Sequence, residues 1–223
     1  MAHSTTGPAT GRRRARELGI TIGRMQPGPW NAITDVPGVK VGHCTLISGE
    51  GPLVVGQGPV RTGVTVVAPC DNIRKAPLFA GHHVLNGCGE MTGLAWVEES
   101  GCLASEVAIT NTFSVGVVHD AMITYGAGWG LTVVAETYDG WLNDIHGMHV
   151  RPEHARAALD AAASGPVAEG CVGGGTGMNC YAFKGGIGTS SRALDAEDGG
   201  WIVGALVQAN HGIRDWLTVF GTH

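Results

Sequence analysis

The chain is predicted to fold as a mixed α/β (α+β) layered domain. Apolar strand-like runs outnumber helical ones, and the helices that can be placed fall between strands rather than in a block of their own. With 43% hydrophobic against 15% charged residues over 223 positions, there is enough apolar material for one sizeable core. No internal repeat or linker interrupts it, so residues 1–223 read as one domain, with 1–24 as a loose N-terminal arm.

The elements follow in chain order. Arg12, Arg13, Arg14 and Arg16 sit in the arm with no apolar run behind them, which is not the pattern of a secretory leader. Residues 36–47 alternate apolar with small or polar side chains after the Pro37-Gly38 turn and predict a strand. Residues 63–68 (GVTVVA) and 106–110 (EVAIT) are β-branched, flanked by turn residues, and read as core strands. Residues 115–125 place Val118, Met122 and Tyr125 at helical spacing and end in Gly126, Gly128 and Gly130. Another strand, 131–135, leads directly into Glu136, Tyr138 and Asp139. Pro152 in a first turn, then an alanine-rich stretch to Ala163 closed by Ser164-Gly165-Pro166, marks the clearest helix. Two glycine clusters then surround residues 178–183, and residues 201–208 form an apolar strand ending at Asn210.

Composition excludes several classes. There are 37 Gly and 10 Pro, well above the usual share, but no Gly-X-Y period, so the chain is not collagenous. A net charge of -5, with four of the 14 basic residues in the arm, argues against a nucleic-acid partner. No apolar run approaches the roughly 20 residues that span a bilayer, and a cytoplasmic address is expected. Six cysteines without C-x-x-C spacing are expected to be reduced and mostly buried. Trp129, Trp141 and Trp201 serve burial, a pocket or an interface.

Each motif that suggests chemistry has a plainer alternative. Gly173, Gly174, Gly175, Thr176 and Gly177 suggest a phosphate cradle, but the Lys-Ser/Thr ending of a P-loop is missing and the glycines open no obvious helix, so a tight turn packed on a neighbouring strand accounts for them better. Asp144, His146 and His149, with His82, His83 and Glu90, raise a metal-dependent amidohydrolase, although no H-E-x-x-H is present. Ser114, Ser190 and Ser191 lack a G-x-S-x-G elbow and suit turns or caps, so the chain offers no evident attacking atom. Glu136 and Tyr138 share one face if the strand continues, and Asn210 ends another strand. A carboxylate suits a substrate ammonium, and a phenol and an amide N–H suit the charge that develops on a carbonyl oxygen. Alternatively, Glu136 pairs with an arginine, Tyr138 covers a strand end and Asn210 turns the chain before Gly212.

Five ordered strings carry a resemblance that covers most of the chain. They are NAITDVPGVKVGH (31–43), NGCGEMTG (86–93), VVAETYDGWLNDI (133–145), GGGTGMNCYAFKGGIGTSSR (173–192) and GALVQANHGIRDWLTV (204–219). Through them the sequence resembles the L-aminopeptidase/D-Ala-esterase/amidases and the related β-aminopeptidases. The resemblance implies an αββα four-layer sandwich, like the N-terminal-nucleophile hydrolases but with different connectivity. It also implies a precursor that cuts itself before a serine into a larger α chain and a smaller β chain, whose new N-terminal Ser attacks the substrate. That cut is expected a short way beyond the segment matching 204–219, which makes this chain an α subunit and places the nucleophile on the β chain. Glu136 matches the position that binds the substrate's amino group, and Tyr138 and Asn210 match the oxyanion donors. Lys184 matches a lysine that contributes to catalysis in related nylon-oligomer hydrolases. No cofactor is implied, and homo-oligomers of αβ units are. The implied substrates are short peptides, amides or esters with a free N-terminus. A catalytically silent scaffold or binding subunit is the alternative from a different class.

Overall fold

A computed structural model describes residues 13–126, 130–219 and 221–222. β1 (Lys40–Ser48) and β2 (Val60–Ala68) form a long antiparallel hairpin in which Lys40 pairs Ala68 and Ser48 pairs Val60. A minor pair, β3 (Leu78–Phe79) and β4 (Cys102–Leu103), brackets the short α1 (Leu94–Ser100). β5 (Val107–Asn111) then joins β2 antiparallel. α2 (Val115–Tyr125) carries the chain over to β6 (Val133–Thr137), which lies parallel to β5 with Thr110 opposite Glu136. The four-stranded sheet therefore runs β1-β2-β5-β6. A helical crossover is what a parallel pair requires, since a tight turn cannot join two strands running the same way.

α2 and α3 (Pro152–Asp160) cover one face of this sheet. Val64, Val66, Ala108 and Val134 from the strands meet Val118, Ala121 and Met122 from α2 and Ala155, Ala158 and Leu159 from α3 in one buried cluster. Against the other face lies a turn at Gly173–Gly175, beside a second, two-stranded sheet of β9 (Gly186–Ala193) and β10 (Ile202–Ala209), with the small hairpin β7 (Asn179–Cys180) and β8 (Phe183–Lys184) just before it. The layers are thus helix, sheet, sheet. β10 alternates: Gln208 reaches inward to Thr137, while Val203 and Val207 are 59% and 54% exposed on the outer side.

Several sequence expectations change in physical detail. α3 stops at Asp160 rather than Ala163, because Ala163 leaves the helix to pair with Val41 on the free edge of β1 through two backbone hydrogen bonds of 3.1 Å. α1 was not predicted: seven residues between left-handed Gly93 and Gly101 are too few to show a period. β9 (GIGTSSRA) falls in the second of the two glycine clusters, carries no strand period of its own, and becomes a strand through its pairing with β10. Residues 1–12 of the expected arm lie outside the described residues. From Arg14 the chain is pinned, as the guanidinium meets Glu169 at 2.7 Å and donates to the carbonyls of Trp30, Asn31 and Thr189. All six cysteines are free, but five are only half-buried and Cys88 is exposed, so the expectation of mostly buried thiols fails. Trp141 and Trp201 are exposed; Trp129 lies outside the described residues. No helix among the described residues is long and apolar enough to cross a membrane.

The glycine cluster is a packing device between the sheets. Gly173 N and Gly174 N donate to Thr45 Oγ1 and Thr65 Oγ1 at 2.8 and 3.1 Å. A Cβ on Gly174 would lie 2.6 Å from the Ile109 carbonyl, so this backbone approaches β5 only because the side chain is absent. Beside it, His43 Nδ1 bonds Thr65 Oγ1 at 2.9 Å, whereas His43 Nε2 is buried without a partner. Burial lowers the His43 pKa from 6.5 to about 4. The folded protein therefore takes up this proton later than the unfolded chain as pH falls. Its stabilising contribution is complete above pH 6.5 and is lost progressively as pH falls to about 4. Over the step from about pH 7 to about pH 5 this predicts a loss of about 2 kcal/mol. Urea unfolding at both pH values checks it: the loss is expected to shrink in His43→Gln, and equal pH slopes in the two proteins contradict the assignment.

Candidate functional site

β5 and β6 run parallel, and their carboxyl ends open into one cleft of about 720 Å³. Beyond its C-terminal end, β5 turns at once: Asn111 Oδ1 accepts from Phe113 N at 3.1 Å and caps a single tight turn, Thr112–Ser114, that feeds α2. β6 ends at Thr137, so Glu136 and Tyr138 leave the strand two residues apart. Asn210, just past β10, arrives from the second sheet. The cleft is lined by Glu136, Tyr138 and Asn210, together with Thr112, Leu94 and residues 83–86 and 88–91 of the loop before α1. Three of the four site residues expected from sequence therefore come together, from chain positions more than seventy residues apart at the extremes.

Glu136 does not pair with an arginine. Its Oε2 accepts a hydrogen bond from the Thr112 hydroxyl, and its Oε1 accepts from Glu90 N at 3.2 Å. A Cβ on Gly89 would lie 2.8 Å from Oε1, so the loop backbone closes directly over the carboxylate. Asn210 Nδ2 donates to the Tyr138 carbonyl at 2.7 Å, joining the ends of β6 and β10. An amide nitrogen carries two hydrogens, and this bond uses one of them. The Tyr138 ring is 45% exposed and folds back over Gly140, where a Cβ would lie 2.3 Å from the phenol oxygen.

The turn after Tyr138 is held from beneath. Leu142 N and Asn143 N both donate to the Asp139 carbonyl, and Asn143 Oδ1 accepts from Arg61 N at 2.9 Å. Asp139 is fully buried, with one oxygen taking a 3.0 Å bond from Asn143 Nδ2. Burial holds its carboxyl above the usual carboxylate range despite the polar side chains of Thr62, Asn143 and Asn111 around it. Behind Glu136, Gln208 Nε2 donates to Thr137 Oγ1 at 2.6 Å, tying the two sheets together below the cleft.

Lys184 is placed elsewhere. It is exposed on β8 and lines a second hollow of about 350 Å³ with Cys180, Phe183 and Ala209. Ala209 and Asn210 are neighbours in the chain, one facing each hollow. The histidine groups do not converge. His149 Nε2 meets Asp144 Oδ2 at 2.8 Å, while the His146 ring lies 5.1 Å from that of Phe113. Burial alone would raise the Asp144 pKa, but hydrogen bonds from His149, Gly56 N and Gly147 N hold it below the usual range. Among the described residues no three His, Cys, Asp or Glu side chains gather as a metal-binding group. The serines brace turns: Ser191 Oγ donates to Asp35 Oδ2 at 2.6 Å and Ser190 Oγ to Asn31 Oδ1 at 2.9 Å.

Two partners of Glu136 were not visible in the sequence. Thr112 follows a strand and carries no motif; only the parallel register of β5 and β6 brings it to the carboxylate. Glu90, read above as one of a possible metal group, contributes its backbone N–H, and its own carboxylate accepts from Met91 N at 3.0 Å.

The beta-peptidyl aminopeptidase BapA of Sphingosinicella microcystinivorans is 54% identical over 226 residues, an alignment that takes in 99% of this chain and 56% of that protein. A Burkholderia sp. beta-aminopeptidase structure superposes with a TM-score of 0.87 at 55% identity, over 93% of this chain and 60% of that one. The L-aminopeptidase D-Ala-esterase/amidase of Ochrobactrum anthropi, a prototype serine aminopeptidase with a variant of the Ntn hydrolase fold, superposes with a TM-score of 0.84 at 47% identity, over 94% and 61%. The chain therefore spans a little over half the length of the relatives it matches. The model of peptidase family S58 matches residues 31–223, nearly the whole described chain, and the protein belongs to that family.

Proposed function

We propose that this chain is the substrate-gripping α part of a self-processed aminopeptidase/amidase. In this reading it releases N-terminal D-, L- or β-amino acids from short peptides, amides or esters. The observation that carries it is the cleft itself: one carboxylate held by two donors, beside a phenol and an amide at the ends of strands from both sheets. Glu136 holds the substrate ammonium by a charge-assisted hydrogen bond. The Tyr138 hydroxyl and the second Asn210 N–H donate to the carbonyl oxygen as it gains charge. The N-terminal Ser of a second fragment attacks the carbonyl carbon, its own α-amine taking the hydroxyl proton. The leaving amine or alcohol departs with a proton, and water then releases the acyl group. The length ratio to its relatives and the open outer face of β10 both support a second fragment.

Two measurements test this. Intact-mass analysis of the gene's whole product is expected to show a companion fragment beginning with Ser; full activity in material free of any such fragment contradicts the reading. Glu136→Gln is expected to raise KM for free-amine substrates by more than tenfold, the scale of a lost charged hydrogen bond. Activated esters of the same acyl group lacking the amine should be nearly unaffected. Equal loss on both would remove Glu136 as the ammonium anchor.

A further inference from the structure

We infer that Thr112 is a positioning residue for substrate recognition: its hydroxyl locks the Glu136 carboxylate in the orientation that receives the amine. The inference rests on the proposed role of Glu136 and names the group that sets that role's geometry.

A glutamate side chain has three rotatable bonds and, at a half-exposed strand end, samples several rotamers unless something holds its tip. Here the tip is held from two sides by different segments. Glu90 N, in the loop over the cleft, reaches Oε1 at 3.2 Å, and the Thr112 hydroxyl, in the turn between β5 and α2, donates to Oε2. Gly89 lies against the third side, where a Cβ would stand 2.8 Å from Oε1 and displace the carboxylate from this position. Each carboxylate oxygen has two acceptor directions, so one protein donor on each leaves one free toward the cleft. Thr112 is also well placed to be rigid. It starts the turn capped by Asn111, and Asn111 Nδ2 is itself fixed by a 2.8 Å bond to Thr62 Oγ1 in the core. The distance from the bound ammonium to the oxyanion donors therefore depends on a hydroxyl whose backbone is anchored in the sheet. Holding an acceptor in place before the substrate arrives lowers the ordering cost of binding.

The test uses the processed enzyme and two isosteres that separate hydroxyl from methyl. Thr112→Val keeps the shape and loses the donor; Thr112→Ser keeps the donor and loses the methyl. Thr112→Val is expected to raise KM for free-amine substrates on the order of tenfold, the scale of one net hydrogen bond, with kcat little changed. It should leave the amine-lacking ester unaffected, and Thr112→Ser should be close to wild type on both. A packing role predicts the reverse order, with Ser impaired and Val normal, and overturns the inference. So does a Thr112→Val enzyme with wild-type KM on free amines while Glu136→Gln discriminates between the two substrate kinds; in that case the anchor reading stands and the Thr112 assignment falls. If Glu136→Gln fails to discriminate, the anchor reading itself falls. Should the valine variant not fold, Thr112→Ala against Thr112→Ser gives the same comparison, since that pair differs by the hydroxyl alone.

Discussion

Asn210→Ala is expected to lower turnover by roughly 100- to 1000-fold while leaving KM for a free-amine substrate near the wild-type value. The Asn210 amide nitrogen carries two hydrogens. One is held by the Tyr138 carbonyl at 2.7 Å, which fixes the plane of the group, and in the proposed role the other is the one offered to the substrate oxygen. A neutral carbonyl gains little from that donor, whereas an oxyanion gains much more, so the loss falls on kcat. The fold should tolerate the change, because Asn210 sits at an open strand end where water can take its place on the Tyr138 carbonyl. Asn210→Asp makes the stricter comparison. It keeps the size but replaces the donor with an oxygen facing the same carbonyl, and should be at least as slow. The proposed self-cleavage is also an acyl transfer, so rates must be normalised to the processed fraction measured by mass. Wild-type turnover per processed enzyme in Asn210→Ala would leave Asn210 as a clip between β6 and β10 and nothing more.

The residues of this cleft differ in how legible they are in the sequence. Glu136 and Tyr138 could be found because an apolar run ends in polar groups two apart, and strand geometry alone puts such residues on one side. Asn210 could be noticed as a strand end, but its meeting with Tyr138 depends on how the two sheets stack, which no local pattern encodes. Thr112 was hidden for the same reason: parallel neighbours are set by the α2 crossover, and the pairing of Thr110 with Glu136 brings the residues beyond them together. Long elements with a period were legible, α2 to the residue. β9 was not, because its glycines and serines carry no strand signal and its structure comes from β10. The glycine run at 173–177 reads as a packing turn from its sequence, and the structure shows which strands it packs against.

The abundance of glycine has a sharper consequence at Gly42, and Gly42→Ala is expected to destabilise the protein by about 3 kcal/mol or more, at the upper end of what overpacking costs. A Cβ on this β1 residue would stand 1.9 Å from the Ala158 carbonyl oxygen, 2.8 Å from Ala162 N and 3.0 Å from its Cα, all of them backbone. No side chain can rotate away, so relief requires α3 to lift from β1. That movement would pull Ala155, Ala158 and Leu159 from the core cluster and strain the pairing of Ala163 with Val41. The same substitution at Gly116 should act in the opposite direction. Gly116 lies in α2 with nothing within 4 Å of its would-be Cβ, so alanine there reduces the freedom of the unfolded chain and favours the helix by about 0.5 kcal/mol. Urea midpoints of the two variants, measured on the same processed preparation, check the contrast. Similar stabilities for Gly42→Ala and Gly116→Ala would mean that α3 does not approach β1 this closely. The helix layer would then be free to shift over the sheet, and the seat of β5 and β6, on which the cleft depends, would be less firmly defined than this packing implies.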